Sequence, residues 1–368
     1  MFLLRSFILS FATILVVHNS TYAQLDKTYT SIEEALVQPG KVFKLSLVNQ
    51  GYDAFPEEIR SFKNLVALTV KNSLIAELPS WISDLENLER VDMTNNLLTS
   101  ANDFGRLPRL TQLILFGNKV TEFDSVLLNC PKLNKLDLTR NAIQEIPSSI
   151  KFASLLSDFQ ISENKITTLP KELELVVSLE MFRISRNELT VFDSDFSAMS
   201  SLFFIDITSN GLSSFGKNVK LPPSIKTFQL GFNNLTEVPV CLRTCIQLKK
   251  LEFNENKVSS LPAWVSELDD LQNAYFKLNN FTEFPSVLLE LPNLAAIGLG
   301  YNKIQEIPED ICKLENLIYL GFRNTDISSL PDCLSESGVD TLYIGGNNFS
   351  DEEIEALKRQ YKSRVIRD

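Results

Sequence analysis

Histidine is almost missing from this chain: one residue, His18, in 368. With no other imidazole there is no Ser-His-Asp triad, no Cys-His pair and no zinc site built on histidine. Glycine is sparse too, at 13 residues, while 44% of the chain is hydrophobic and 22% charged. That composition excludes the fibrous and disordered classes. Positive charge is in deficit: 35 Lys+Arg stand against 46 Asp+Glu, for a net charge of −11. An acidic surface repels phosphate backbones, so nucleic acid is not an expected partner. Beyond the N-terminus no segment approaches about 18 uninterrupted apolar residues, so no membrane span is expected in the mature chain.

The N-terminus itself is a separate matter. Arg5 precedes a nearly unbroken apolar run, Phe7–Val17, and a polar stretch then ends in Thr21-Tyr22-Ala23. These are the parts of a secretory signal, with cleavage expected after Ala23 and export of the rest. The run is too short to span a bilayer comfortably. Cleavage removes both Arg5 and His18, leaving the mature chain one charge more negative and without histidine.

What fills the remainder is a repeat. Aligned on one apolar anchor, the pattern Leu-x-x-Leu-x-Leu-x-x-Asn-x-Ile recurs fourteen times, from Val42 through Leu65, Leu88, Leu110, Leu133, Leu156 and Leu179 onwards to Val339, at steps of 22 or 23 residues. Eight residues past the anchor stand Asn96, Asn118, Asn141, Asn164, Asn187, Asn210, Asn233, Asn256, Asn279, Asn302 and Asn347, with Gln50, Ser73 and Thr325 the only breaks. Such a period marks stacked coils, each unable to bury its own apolar edge. Apolar residues two apart, such as Leu136 and Leu138, suit a short strand with one buried face. A side-chain amide both donates and accepts, so a column of Asn can satisfy turn backbone that stacking would otherwise bury unpaired.

From about residue 42 to 349 the sequence resembles the leucine-rich-repeat family. The downstream prolines of Leu78-Pro79, Ile146-Pro147, Leu169-Pro170, Ile307-Pro308 and Leu330-Pro331 resemble its 23-residue subclass. The resemblance implies an α/β solenoid: a curved right-handed superhelix with a parallel concave sheet and an irregular or short-helical convex side. The expected organisation is a signal peptide over 1–23, an N-terminal helical cap over 24–41, fourteen repeats over 42–349 and a C-terminal helical cap over 350–368. Ser31-Ile32-Glu33-Glu34 and Ser350-Asp351-Glu352-Glu353 supply capping boxes for the two caps.

Five cysteines invite a disulfide framework in an exported chain. Cys130 and Cys245 occupy a column that elsewhere holds leucine, and read as small core hydrophobes. Cys312 and Cys333 lie in adjacent units and can approach one another on the outer side, but bonding needs Cα atoms within about 7 Å and the unbridged state is the favoured expectation. The sequons Asn234-Leu235-Thr236, Asn280-Phe281-Thr282 and Asn348-Phe349-Ser350 all begin one residue after the Asn column, so the repeat alone generates them.

Outward positions flank the core pair of each strand. In the middle units they read Asp137, Arg140, Asp158, Glu163, Arg183, Arg186 and Asp206, a mixed-charge surface; Asp137 and Asp206, three units apart, are expected too far from one another for acid-base work. In the last four units they read Tyr275, Tyr301, Tyr319 and Tyr343, with Lys277 and Arg323 alongside and Gly298, Gly300, Gly321, Gly345 and Gly346 between. Tyrosine is enriched at interface hot spots, and the intervening glycines are expected to leave troughs open to a ligand. The partner-binding candidates are therefore Tyr275, Tyr301, Tyr319, Arg323 and Tyr343. A weaker candidate comprises Ile114, Phe116, Met181, Phe204 and Phe232. These features predict a non-enzymatic protein-recognition module acting outside the cytoplasm, without cofactor or metal. A carbohydrate-binding or adhesive surface protein is the alternative.

Overall fold

The computed structural model describes residues 27–361 and the backbone of Val365–Ile366; the expected signal peptide and the final residues lie outside that range. The chain divides into two compact units. One runs to Ile143 and includes Phe152–Leu156, and the other comprises Gln144–Lys151 and everything from Ser157. Each is a leucine-rich-repeat solenoid.

In the first unit the strands Thr28–Tyr29, Lys44–Val48, Ala67–Lys71, Arg90–Asp92, Gln112–Ile114 and Lys135–Asp137 pair in parallel and in sequence order. In the second, the same arrangement runs from Asp158–Gln160 through Thr341–Tyr343. The central residue of every three-residue strand in the two units, such as Leu136, Phe182 or Leu251, is buried, as is the anchor three residues earlier. Parallel strands one coil apart are what a right-handed β-crossover repeat requires. Stacked phenylalanines add to the second unit's core, Phe159 on Phe182 and Phe253 on Phe276, each pair with ring centroids 5.7 Å apart.

The return side of most coils is a single short turn of 3-10 helix, usually started by proline. Pro56, Pro79, Pro170, Pro239, Pro262, Pro285, Pro308 and Pro331 are all extended at the N-cap position. The carbonyl of each accepts from the N–H three residues on, as Pro308 does from Ile311 at 3.0 Å. Proline suits this place because its fixed φ and missing N–H cost nothing before the first turn. Without that proline the Asn102–Arg106 return is still a 3-10 turn, but two other returns change form. Asp124–Asn129 is α-helical, and Val191–Phe192 pairs with Ser214–Phe215 as a separate two-stranded sheet.

A feature the sequence conceals sits one residue before the Asn column. Asn49, Asn72, Asn95, Arg140, Glu163, Arg186, Ser209, Phe232, Glu255, Leu278, Tyr301 and Asn324 all have φ between 49° and 60°, with Gly117 and Gly346 filling the same position. The left-handed turn is imposed on whatever residue stands there, because the coil must leave its strand at that point.

The ends contain more than the helices expected from the capping boxes. Helix Ile32–Leu36 is preceded by the strand Thr28–Tyr29, which pairs with Lys44 and Leu45. Helix Asp351–Gln360 is followed by Val365–Ile366, which pairs with Leu342 and Tyr343. Each of these strands covers an edge that would otherwise expose unpaired backbone. The second correction concerns sulfur: Cys312 and Cys333 are disulfide-bonded, with Cα atoms 6.1 Å apart. Two successive 3-10 turns stack closely enough to bring them together. Cys130 and Cys245 are buried and free, and Cys241 is free and half-buried.

Candidate functional site: a tyrosine-lined hollow

The Asn column is the scaffold on which every sheet-face residue stands. In Asn187 the amide nitrogen donates to the Ile184 and Ser185 carbonyls of its own coil at 3.1 and 3.3 Å, and to Ile161 of the preceding coil at 3.0 Å. Its oxygen accepts from the Ile166 N–H at 3.0 Å. Asn96, Asn118, Asn141, Asn210, Asn233, Asn256, Asn279, Asn302 and Asn347 repeat this arrangement, while Asn164 donates to Ile161 and Ser162 in its own coil. Of the substitutes, the Thr325 hydroxyl lies within hydrogen-bond distance of the Phe322 carbonyl and the Asn347 side-chain oxygen, both of which can accept from it, whereas the Ser73 hydroxyl has no partner among the described residues.

Each strand then presents its first and third residues to the exposed face. In several coils the third residue is an aspartate whose carboxylate accepts the N–H two residues on: Asp92 from Thr94, Asp137 from Thr139 and Asp206 from Thr208. These carboxylates finish turns, a structural task that explains their presence. Asp158 departs from its expected outward position. It is 7% exposed, held by the Gln160 amide at 3.0 Å and by the Arg183 guanidinium at 3.3 Å. Arg183 also lies over the Phe204 ring at 4.7 Å and near the Met181 sulfur, so the apolar residues of the weaker candidate are half-covered, apart from exposed Phe232. Ile114 and Phe116 are half-buried in the first unit.

The tyrosine candidates do come together. Register aligns Tyr275, Gly298, Gly321 and Tyr343 across four strands, with Tyr319 two residues before Gly321. They line a hollow of about 280 Å³ with Tyr301, Lys277, Gly300, Arg323 and Asn254. Tyr275 and Tyr319 stand edge to face at 6.4 Å, and Tyr319 and Tyr343 are tilted at 5.7 Å. The glycines are not open troughs. A Cβ on Gly298 would lie 2.8 Å from the Tyr275 ring, and one on Gly321 would lie 3.0 Å from the Tyr319 hydroxyl. Glycine is needed at these two places so that tyrosine rings can fold over the sheet, leaving the rings half-buried rather than fully outward.

Electrostatics single out the same place. Burial, and next the neighbouring Tyr275 and Tyr343 hydroxyls, push the Tyr319 phenol above its ordinary range, so it stays a neutral donor at physiological pH. Lys277 lies 5.0 Å from the Tyr301 ring centroid. Glu252, beside Tyr275 on the adjacent strand, is paired with Lys250 at 2.7 Å. Register could locate these residues in the sequence; the folding of rings over glycine depends on rotamers and could not be read there.

Residues 63–120 match the Leucine rich repeat family model. Among solved structures, a Leptospira interrogans leucine-rich-repeat protein is 23% identical with a TM-score of 0.74, the match covering 93% of this chain and 100% of that one. An internalin from Listeria monocytogenes is 17% identical with a TM-score of 0.66, over 91% of this chain and 87% of that one. The plant peptide hormone receptor RGFR1, in complex with RGF2, is 24% identical with a TM-score of 0.63, over 84% of this chain and 55% of that one. These likenesses are likenesses of fold.

Proposed function

We propose that this leucine-rich-repeat protein is a non-enzymatic recognition module that works outside the cytoplasm and grips a protein partner on the tyrosine-bearing sheet face of its second unit. The observation that carries this reading is the convergence of Tyr275, Tyr319 and Tyr343 on one hollow flanked by Lys277 and Arg323. Large, stiff side chains with a polar tip give contact area at low ordering cost, the composition of interface hot spots. The similarly folded receptor RGFR1 is a peptide hormone receptor captured with RGF2, which is consistent with a peptide or protein ligand here.

Two features support export. Residues 1–23 have the parts of a secretory signal, and the Cys312–Cys333 bridge is of a kind that persists in oxidising compartments. Among the described residues no helix is long and apolar enough to cross a membrane. A sugar ligand is the second reading. It needs an open flat ring to stack on, and the edge-to-face pairing of Tyr275 with Tyr319 takes up such a face. The test is capture from the native envelope or culture medium with wild type and with Tyr319→Ala/Tyr343→Ala. Loss of the captured protein in a double variant that keeps its circular dichroism spectrum is expected. Undiminished capture would discard the tyrosine face.

A further inference from the structure

Two cations with a glycine between them occur in sequence along one column of the second unit: Lys277, Gly300 and Arg323 hold the same position in three consecutive coils. The two flanking backbones are thus two strands apart, about 10 Å, and both side chains line the hollow that Gly300 floors. No ion pair involves Lys277 or Arg323 among the described residues, and no Asp or Glu lines the hollow. Two uncompensated cations together on a chain of net charge −11 call for an anion from outside.

The backbone points the same way. At this column the N–H opens to the exposed sheet face, since side chains of that face reach it in other coils: Asp92 for Thr94, Ser162 for Ser185, Asn254 for Lys277. In the Gly300 and Arg323 coils the third strand residue is Gly298 or Gly321, where three other coils place Asp92, Asp137 and Asp206. The N–H groups of Gly300 and Arg323 accordingly have no acceptor among the described residues. The same donor is open at Phe116, Ser162, Gly231 and Asn254 among the described residues, but of these positions Gly300 alone stands between two cations in the column. Gly298 and Gly321 offer these two N–H groups no side-chain acceptor of the kind that Asp92, Asp137 and Asp206 supply.

We infer that the hollow is a carboxylate site: an acidic residue of a peptide segment seats above Gly300 between Lys277 and Arg323, while its neighbouring side chain lies against Tyr319. The inference rests on the recognition reading above and names the chemistry of its ligand. Charge-assisted bonds from guanidinium, ammonium and backbone N–H are the strong ones for such a group. An acidic peptide is favoured over an acidic polysaccharide because the tyrosine rings meet edge to face.

The experiment uses the full chain and a displayed library of random peptides of about twelve residues. Enriched sequences are expected to carry Asp or Glu beside an aromatic or aliphatic residue. For a synthetic copy of the best of them, Arg323→Gln and Lys277→Gln should each weaken binding at least about fivefold. Exchange of its acidic residue for the amide should do the same, without adding to the loss in the Arg323→Gln variant. Affinity should fall as NaCl rises from about 50 to about 500 mM. Enrichment without acidic bias, no enrichment, binding indifferent to both cation variants, or binding of polygalacturonate in place of any peptide would each overturn the inference. If Tyr319→Ala/Tyr343→Ala still abolishes partner capture while the cation variants do not, the carboxylate site falls and the recognition face stands.

Discussion

At the scale of single residues, the amide of asparagine does what no other side chain in the repeat can. Its nitrogen donates to carbonyls of its own coil and of the preceding one, while its oxygen accepts an N–H of the preceding coil. Asn210 gives to Ile184 and Ile207 at 3.1 Å and takes from Leu189 at 3.1 Å. Asn210→Ala should therefore destabilise the protein by about 1–3 kcal/mol, the cost of leaving such backbone groups unpaired, measured as a shift of the urea midpoint at constant m-value. This column was legible in the sequence because every coil faces the same constraint and solves it with the same residue. The left-handed residue just before it was not legible. The turn is common to all coils, but Arg140, Glu163, Phe232, Leu278 and Tyr301 share no side-chain property that marks it. Asp158 was misplaced for a related reason: its burial depends on where the Gln160 and Arg183 side chains come to rest.

Elements explain what seals the ends and the outer side. The helices at both ends were announced by their capping boxes. The strands beside them, Thr28–Tyr29 and Val365–Ile366, are two residues long, too short for any alternation to register. In the C-terminal cap, Ser350 accepts from the Glu353 N–H and the Glu353 carboxylate accepts from the Ser350 N–H at 2.8 Å. Those Ser350 hydrogen bonds, backbone first and hydroxyl second, hold the Glu353 carboxyl below its ordinary range. A lowered folded value means the capping stabilisation is complete above the unfolded glutamate pKa and is lost as pH falls through the folded one. Amide exchange across Asp351–Gln360 should therefore speed up as pH falls from about 5 to about 3 beyond the intrinsic trend, and Glu353→Gln should flatten that response. The Cys312–Cys333 bridge closes a loop of 21 residues across two 3-10 turns. Cys312→Ser/Cys333→Ser should cost about 2–4 kcal/mol, read by thermal melting under non-reducing conditions. A spacing that reflects only the repeat carries no disulfide signature, which is why the bridge was not anticipated.

For the molecule as a whole, the fold class and the neighbourhood of the candidate site followed from one register, because constant coil length places residues of a given column side by side. Tyr275, Tyr319 and Tyr343 could be grouped without any structure. What could not be foreseen was how they fill the space: rings laid over Gly298 and Gly321, a shared hollow, and cations at its margin that have no ion pair among the described residues. The proposed seat of the partner is this tyrosine face and not the proline-rich outer side. Photo-crosslinking in the native host tests it most directly, with p-benzoylphenylalanine placed at Tyr319 or, as the outer-side control, at Ser266. A single protein adduct formed from position 319 and absent from position 266 is the expected result; an adduct from position 266 with none from position 319 would contradict it.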